Sequence, residues 1–352
     1  MMSSQYFSGQ KILIVGGAGF IGSNLAKMIL RDNERVNILI VDNLLSSEQE
    51  NIPNDFRVTF VRGSICRDSI LQVIDDTIDI IFHLATYHGN QSSIFDPLKD
   101  HYNNALTTLK LLDHVKNFRY LKKFIYSSAG CSVAEKTFDD PEATKEKESV
   151  SIYQDSPYSI SKIMGEFYCR YYFKQHSVPT VRVRFQNVYG PGEILGAGEW
   201  RGTPATVWRN VVPTFIYRAL KGMPLNLEGG GSTSRDFVYV EDICKGLVLC
   251  AKKGVSGEVY NLGSGREVFI KDLAQMILEL TGSSSELRSV PRREWDHSGR
   301  RFADINKART ELGYSPEIEI KDGIKRTIDW TIKNLKLIEA CIYKHADKME
   351  II

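Results

Sequence analysis

The sequence predicts an α/β fold, a doubly wound parallel sheet joined to a smaller, mixed α/β C-terminal lobe. Short apolar runs, typical of strands buried on both faces, alternate with stretches of helical periodicity through the first half of the chain. A glycine-rich turn follows the first of these runs, and past Gly190 turn-rich stretches replace the alternation. We therefore predict a sheet domain over residues 1–190, which also receives part of 235–265, and a lobe over residues 191–340.

The individual elements follow in order from these patterns. Predicted strands cover residues 11–15, 36–41, 57–61, 78–82, 122–126 and 179–185. Predicted helices cover residues 20–30, 97–118 and 158–175, and the polar, charged stretch 132–154 is predicted to be a surface loop. Because strands and helices alternate, right-handed crossovers would place helices on both faces of a parallel sheet.

Composition and charge argue against several classes of protein. The 352 residues include 45 basic and 43 acidic side chains, a net charge of +2, and the scattered basic residues show no nucleic-acid footprint. The six cysteines form no CxxC pair and the seven histidines show no metal-binding spacing, which favours reduced thiols and no metal site. No apolar run is long enough to span a membrane, and the N-terminus lacks the apolar centre of a signal peptide. We therefore predict a cytoplasmic protein.

A glycine-rich turn, VGGAGFIG, places Gly16, Gly19 and Gly22 directly after the first strand and at the start of the first helix. Glycines permit the tight turn and the close approach of a pyrophosphate, which the free N–H groups and positive end of the helix then receive. Asp42 ends the second strand, where a carboxylate can accept both hydroxyls of an adenosine ribose. The same carboxylate would repel a 2′-phosphate, and no Arg or Lys follows it in residues 43–45. The pattern predicts a Rossmann dinucleotide site that prefers NAD to NADP.

A tyrosine and a lysine, Tyr158 and Lys162 in SPYSISK, stand four residues apart on a predicted helix and project from one face. A lysine ammonium beside a phenol stabilises the phenolate, which can then act as a general base toward an alcohol. The spacing alone is common on solvated helix faces. Its position, about five strand–helix units after a dinucleotide turn, favours a catalytic pair.

With VGGAGFIG, Asp42, His83-Leu84-Ala85 and YSISK in this order, the chain resembles the extended short-chain dehydrogenase/reductase family, and within it the nucleotide-sugar epimerase/dehydratase branch. The resemblance extends over roughly residues 10–335 through the stretches 184–192 (RFQNVYGPG), 234–243 (SRDFVYVEDI), 259–265 (VYNLGSG) and 312–316 (LGYSP). It implies an N-terminal Rossmann domain and a C-terminal nucleotide-sugar lobe. It also implies a homodimer through a four-helix bundle, here of helices 97–118 and 157–175.

The resemblance also implies roles for particular residues. Tyr158 would be the catalytic base and Lys162 its partner, and Asn104 would help position the active-site lysine or the nicotinamide. The implied contacts to the cofactor NAD are Gly16, Gly19, Phe20, Ile21, Gly22, Asp42, Asn43, Ser64, Ile65, Leu84, Ala85, Thr86, Asn104 and Lys162.

The implied contacts to the diphosphate of a nucleotide-sugar substrate are Asn187, Arg235 and one or more of Arg292, Arg293, Arg300 and Arg301. Arginine suits this role because its fork binds two phosphate charges at once. Arg201 lies in the long stretch 192–212, and we predict that it also binds substrate, since long loops inside compact domains tend to be functional.

The sequence departs from the family's pattern at two places. Ser64 stands where members often have an aspartate that contacts adenine, so we expect a weaker adenine contact. Many members carry a Ser or Thr that reaches the sugar hydroxyl where Ala129 stands here, and Ser128 is the candidate replacement if the loop shifts. Dehydratases of the branch place carboxylates at the positions of Gly130 and Cys131. Because elimination of water needs a second acid/base pair, dehydration is disfavoured.

Cys131 leaves an alternative open. It aligns with the catalytic cysteine of the 3,5-epimerising branch, whose thiolate removes a proton next to a ketone. The lysine that this branch carries in the loop after YGP is missing from residues 192–204. The competing interpretation of Cys131 is a small buried residue that packs beside the nicotinamide.

The sequence thus predicts an NAD-dependent enzyme that oxidises a ring hydroxyl, by family analogy at C4, of a nucleotide-diphosphate sugar in surface-glycan biosynthesis. Returning the hydride to the other face of the ketone would make it a 4-epimerase, whereas releasing the ketone would make it a 4-dehydrogenase. A non-catalytic NAD-sensing module would not need both Tyr158 and Lys162, and an assembly protein would not need the glycines. No nucleic-acid or membrane partner is predicted.

Overall fold

The structure is a computed structural model that describes residues 5–130, 142–297 and 299–349. Its strands are β1 (Lys11–Val15), β2 (Asn37–Asp42), β3 (Val58–Arg62), β4 (Ile80–His83), β5 (Lys123–Ala129), β6 (Thr180–Phe185), β7 (Asn187–Tyr189), β8 (Leu225–Glu228), β9 (Ser234–Arg235), β10 (Phe237–Tyr239), β11 (Val259–Leu262), β12 (Val268–Phe269) and β13 (Leu287–Val290). Its α-helices are α1 (Phe20–Asp32), α2 (Asp68–Leu71), α3 (Asn90–Phe95), α4 (Pro97–His101), α5 (Thr107–Val115), α6 (Pro157–His176), α7 (Val211–Leu220), α8 (Val240–Lys253), α9 (Ile270–Thr281), α10 (Ile320–Lys333), α11 (Leu335–Tyr343) and α12 (Ala346–Met349).

One seven-stranded sheet organises the molecule, in the order β11-β6-β5-β4-β1-β2-β3, and every neighbouring pair of its strands is parallel. The predicted doubly wound parallel sheet is confirmed. The order reverses at β1, because β2 and β3 lie to one side of it and β4, β5 and β6 to the other. Such a reversal opens a crevice at the carboxyl ends of the strands, and α/β proteins bind their ligands there.

Alternate residues of the central strands belong to two separate cores. Ile12 and Ile14 of β1 pack in the core that includes α8, whereas Leu13 and Val15 pack in the core that includes Leu111 of α5. Burial on both faces explains why β1 is a continuous apolar run in the sequence.

The predicted elements are present with shifted ends. β5 continues to Ala129, three residues past its predicted end, and therefore carries Ser127 and Ser128 on the strand. The predicted helix 97–118 consists of α4, a π-helical turn at Tyr102–Leu106, and α5, which ends at Val115. Turns of this kind often occur at functional sites.

A smaller group of elements follows β7. Phe215 and Ile216 of α7, Leu273 and Ile277 of α9, and Ile324 of α10 share one core. β11 returns to the large sheet beside β6. Within the described residues, no helix is both long enough and apolar enough to cross a bilayer.

Candidate active site

A cleft of about 610 Å³ opens at the carboxyl ends of the sheet strands. Its lining comes from the turn after β1, the ends of β2, β4 and β5, the start of α6, and segments that follow β6. The volume lies in the range of ligand pockets, and the place matches the crevice that the strand order creates.

The glycine turn forms the floor of the cleft where α1 begins. Gly16 has a φ of +87°, and a Cβ atom there would stand 2.5 Å from Ala85 N, so no other residue fits without a backbone shift. A Cβ atom at Gly22 would stand 2.3 Å from Gly16 O. Gly19 precedes the first turn of α1 and lines the cleft with Phe20. The free N–H groups of a helix start therefore face a cavity, which suits a pyrophosphate.

Asp42 ends β2 and is held by donors from two loops. Its Oδ1 accepts from Leu44 N at 2.8 Å and Ser47 Oγ at 2.9 Å, and its Oδ2 accepts from Ala18 N at 3.0 Å. Burial raises the pKa of Asp42, and these hydrogen bonds oppose that rise. The bonds fix the carboxylate at the cleft wall, close to the glycine turn, as a ribose-binding residue requires.

The other predicted cofactor residues, apart from Asn104, also line the cleft: Ile21, Asn43, Ser64, Ile65, Leu84, Ala85, Thr86 and Lys162. Asn104 lies behind the lining, in the π-helical turn. Its Oδ1 accepts from Tyr87 N at 2.7 Å, and its Nδ2 donates to Asp100 Oδ1 at 2.7 Å and Ser161 Oγ at 3.2 Å. Asn104 therefore joins the segment after β4 to α6, which fits a positioning role.

Tyr158 and Lys162 occupy the first two turns of α6, and both line the cleft. Lys162 is 3% exposed, and its Nζ donates to Ser127 O at 3.0 Å. The same nitrogen lies 5.8 Å from the centre of the Tyr158 ring. His83 is buried, and burial, followed by the positive charge of Lys162, lowers its pKa to about 3. The lysine is thus held beside the phenol, and the imidazole of His83 is neutral.

Ser128 lines the cleft, but its hydroxyl proton already has an acceptor. Ser128 Oγ donates to Glu166 Oε1 at 2.6 Å, and Arg184 holds both oxygens of Glu166 at 2.8 Å. All three side chains are buried. The sequence analysis did not identify Glu166, although it stands four residues after Lys162, on the same face of α6, and the spacing 158, 162, 166 could have indicated it.

The predicted substrate residues divide into two groups. Asn187, Arg235, Arg293 and Arg301 line the cleft, and the three arginines pair with Asp296, Glu228 and Asp155, respectively. Arg201 and Arg300 do not line it. Arg300 forms a two-bond pair with Glu267 at 2.5 and 2.6 Å. Arg201 is 2% exposed and donates to the carbonyl oxygens of Leu45 and Thr206, both at 3.3 Å.

Residues 192–210, here named the strap, lead from β7 to α7, and several of them line the cleft that Asp42 also lines. Glu199 N donates to Leu45 O at 3.0 Å, and Arg209 Nη1 donates to Ser46 O at 3.0 Å. On the other side, His345 Nε2 bonds Gly196 O at 3.0 Å. The strap is thus held between the loop after β2 and the residues that follow α11.

The cleft residues that were not selected from the sequence include Arg209 and Glu193 of the strap and His88 after β4. Burial, followed by the charges of Arg209, Arg201 and Lys162, lowers the pKa of His88 to about 3. Burial raises the pKa of Glu193 to about 7, although Asn210 donates to it. These residues carry no local motif, and their proximity arises from the tertiary fold alone. Cys131, the remaining predicted site residue, lies outside the described residues.

The family model for the NAD dependent epimerase/dehydratase family matches residues 12–263, which include the glycine turn, Asp42, Tyr158 and Lys162. The chain belongs to this family. The predicted family resemblance is confirmed, and so is the prediction of an enzyme that uses NAD.

Among solved structures, this family member is similar to the WbmF enzyme of Bordetella bronchiseptica in complex with NAD+, at 53% identity and a TM-score of 0.87. The match covers 98% of this chain and 99% of the other. WbmF is also known in complex with NAD+ and UDP, at 54% identity and the same TM-score, covering 98% of each chain.

Curated proteins in the same family include a putative UDP-glucose 4-epimerase of Methanocaldococcus jannaschii, 29% identical over 92% of this chain and 99% of that protein. A trifunctional enzyme of Arabidopsis thaliana is 29% identical over 95% of this chain. It acts as a UDP-glucose 4,6-dehydratase, a UDP-4-keto-6-deoxy-D-glucose 3,5-epimerase and a UDP-4-keto-L-rhamnose reductase. The present chain spans 49% of its length.

The residues of the cleft fit NAD. The turn at Gly16 and Gly19 gives a pyrophosphate access to the start of α1, and the fixed carboxylate of Asp42 stands where a ribose needs an acceptor. Lys162 also lines the cleft, beside Ser127 and Tyr158. When bound, NAD supplies the acceptor for a hydride, and the protein supplies binding and orientation.

Proposed function

We propose that this enzyme is a UDP-sugar 4-epimerase: it oxidises the C4 hydroxyl of the sugar ring and then returns the hydride to the opposite face of the ketone. The observation that carries this proposal is the arrangement of Lys162, whose buried Nζ is held by Ser127 O at 3.0 Å beside the Tyr158 ring. A fixed cation next to a phenol favours the phenolate, the form that can accept a proton from an alcohol.

The residues of the chain divide the chemistry between them. Tyr158 removes the proton from the sugar hydroxyl as the hydride leaves the same carbon for the cofactor, and Lys162 balances the charge of the phenolate. In the reverse step Tyr158 returns the proton to the oxygen. Asn187 and the arginines Arg235, Arg293 and Arg301 hold the diphosphate, because the forked donors of arginine suit two phosphate groups.

The strap favours an epimerase over a dehydrogenase. It lines the same cleft as Gly19 and Asp42, and bonds from Glu199 and Arg209 attach it to the loop that follows β2. A cofactor that occupies the glycine turn would leave only after these bonds open. A cofactor retained in this way must give its hydride back within the same turnover, which makes the net reaction redox-neutral.

The helices α4 to α6 support the proposal of a homodimer through a four-helix bundle. α6 exposes Ile160, Phe167 and Tyr171, which are 48%, 60% and 53% exposed and lie along one side of the helix. Leu98 of α4 is 81% exposed. Large apolar side chains in such a row are typical of an interface. We also propose a cytoplasmic location and a division into a domain over residues 1–190, which also receives part of 235–265, and a lobe made mainly of residues 191–340.

A product analysis tests the proposed reaction. The purified enzyme, without added NAD, is incubated with UDP-, GDP-, dTDP- and CDP-sugars, and the products are identified by NMR. A 4-epimer of a UDP-sugar is the expected product. A keto-sugar formed in equal amount with NADH would instead indicate a 4-dehydrogenase, and inversion at C3 and C5 that disappears in Cys131→Ser would indicate the cysteine mechanism.

Tyr158→Phe tests the base. We expect a decrease of about 10³-fold in turnover, because a general base contributes 10²- to 10⁴-fold, with NAD affinity within twofold of the wild type. Turnover at the wild-type rate would remove Tyr158 from the mechanism.

A further inference from the structure

Gln186 lies directly after β6 and lines the cleft together with Ala129, Tyr158 and Lys162. Its backbone N–H donates to Leu262 O at 3.1 Å, which fixes the residue at the carboxyl edge of the sheet. Gln186 is half-buried, and none of the hydrogen bonds between described residues involves its side-chain amide. A primary amide with two N–H donors and one acceptor therefore stands available at the end of the cleft that holds the catalytic pair.

Two glycines make room for this side chain. A Cβ atom at Gly130 would stand 2.3 Å from Gln186 Nε2, and one at Gly263 would stand 2.6 Å from Gln186 Cγ. Neither glycine has a positive φ, so backbone conformation does not require glycine there. A larger residue is excluded because its side chain would overlap with Gln186. Gly130 follows β5 and Gly263 follows β11, the two strands that flank β6 in the sheet. Gly263 thus lies against the stem of Gln186 and Gly130 against its amide, and the side chain occupies the slot between them.

The hydroxyl groups at the end of β5 already donate to other acceptors. Ser128 Oγ donates to Glu166 Oε1 at 2.6 Å, and Ser127 Oγ donates to His83 O at 3.0 Å. Ala129, the last residue of the strand, has no hydroxyl. Gly130, which follows the strand, has no side chain, so none of the residues 127–130 offers a side-chain donor to a ligand. The amide of Gln186 lies against Gly130.

We propose that the Gln186 amide donates a hydrogen bond to the sugar oxygen that reacts, a role that rests on the proposed function. When Tyr158 takes the proton and the hydride leaves the carbon, this oxygen changes from a hydroxyl to a carbonyl oxygen. The amide neither gains nor loses a proton during this change. Its N–H stabilises the negative charge that develops on the oxygen, in the way that preorganised donors do in other enzymes.

The first variant that tests this is Gln186→Met, which fills the slot without an amide. Binding of UDP and of UDP-N-acetylglucosamine to the NAD-loaded enzyme is measured by calorimetry, and single-turnover reduction of bound NAD is followed at 340 nm. We expect an unchanged affinity for UDP, which lacks the sugar, and a rate of reduction at least tenfold lower, because one such donor commonly contributes 10²- to 10³-fold. Gln275→Met, on the exposed face of α9, is the matched control and should match the wild type.

The outcomes separate the two proposals. Equal affinities and rates in wild type and Gln186→Met would overturn the role of Gln186, and so would a parallel loss of affinity for UDP, which would indicate a packing role. If the wild type reduces no NAD with UDP-glucose, UDP-N-acetylglucosamine or the UDP-hexuronic acids, the proposed function fails. The binding comparison still decides on Gln186, because a loss of affinity for UDP-N-acetylglucosamine alone locates the amide at the sugar.

A second variant covers the case in which Gln186→Met does not fold. Gln186→Glu keeps the shape of the side chain but donates a hydrogen bond only when the carboxyl is protonated. We expect the rate of the variant, divided by the wild-type rate at the same pH, to decrease as the pH rises from 5 to 8. A ratio that stays constant across this range would contradict the donor role.

Discussion

The glycine turn at residues 16–22 and the strap line the same cleft, yet they are shaped by contacts of different range. Within the turn, Gly22 packs against the carbonyl oxygen of Gly16, six residues earlier. In the strap, Gly198 N donates to Glu48 Oε1 at 2.9 Å, 150 residues away, and Gly196 O bonds His345 across 149 residues. A short-range arrangement leaves a pattern in the sequence, whereas a long-range one leaves none.

The largest effect that tests this comparison is expected in the turn. Gly16→Ala places a Cβ atom 2.5 Å from Ala85 N and forces an L residue to a φ of +87°. The conformation alone costs roughly 1–2 kcal/mol, and the turn must also move away from the end of β4. We expect NAD affinity to decrease more than 100-fold, measured by quenching of protein fluorescence.

Gly222→Ala is the matched control for backbone strain. Gly222 has a φ of +66°, but a Cβ atom there would meet nothing within 4 Å. We expect a loss of roughly 1 kcal/mol in the free energy of unfolding and an unchanged affinity for NAD. If Gly16→Ala and Gly222→Ala bind NAD equally well, NAD affinity does not depend on the close packing of the glycine turn.

The second effect concerns arginines that the sequence did not distinguish. Arg301 lines the cleft and pairs with Asp155 at 3.4 Å, whereas Arg300 pairs with Glu267 and does not line it. Because charge-assisted hydrogen bonds contribute about 1.5–3 kcal/mol, we expect Arg301→Ala to weaken UDP binding by roughly 30-fold and Arg300→Ala by less than twofold. Calorimetry with UDP measures the affinity of both variants. Equal losses of affinity would show that a position in the cleft lining does not identify the arginine that binds the diphosphate.

The fold was predictable because its signals are local. β1, β2 and β4 are apolar runs buried on both faces, and VGGAGFIG specifies a turn whose glycines the structure requires at Gly16 and Gly22. The proximity of Tyr158 and Lys162 was predictable because the two residues stand one turn apart on one helix. Each of these features depends on residues within a few positions of one another.

The remaining parts of the site depend on the tertiary fold. No sequence pattern shows that Gln186 lies between Gly130 and Gly263, since the three residues come from the ends of three strands. Arg201 was predicted to bind substrate because of its loop, but the structure places it behind the cleft wall, where it donates to backbone carbonyl groups. Which residue of a long loop faces the cavity is decided by packing, and composition does not reveal it.

The third effect is expected in the strap. A Cβ atom at Gly198, where φ is +83°, would stand 2.3 Å from Leu45 O. Gly198→Ala should therefore loosen the strap from the loop after β2 and leave the glycine turn intact. We expect NADH to dissociate about tenfold faster, in line with a loss of roughly 1–2 kcal/mol, with UDP affinity unchanged. Stopped-flow fluorescence with excess NAD measures this rate, and an unchanged rate would show that the strap does not retain the cofactor.

The smallest effect concerns the pH dependence of stability. Burial raises the pKa of Glu193, in the strap, from 4.5 to about 7. Between these pH values the folded chain keeps a proton that the unfolded chain releases, so this residue lowers stability as the pH rises, and the cost is complete above about pH 7. Glu193→Gln removes that dependence and keeps an acceptor for Asn210, which donates to Oε1.

We therefore compare the Tm of Glu193→Gln with that of the wild type at pH 5 and at pH 8. The difference in Tm, variant minus wild type, should be larger at pH 8 by roughly 2–4 °C, as about 1 kcal/mol would give. Glu199→Gln, an exposed carboxyl of the same strap, should show no such difference between the two pH values. If the Glu193 variant behaves like the Glu199 variant, water reaches the Glu193 carboxylate and the strap is less closed than its hydrogen bonds to Leu45 and Ser46 indicate.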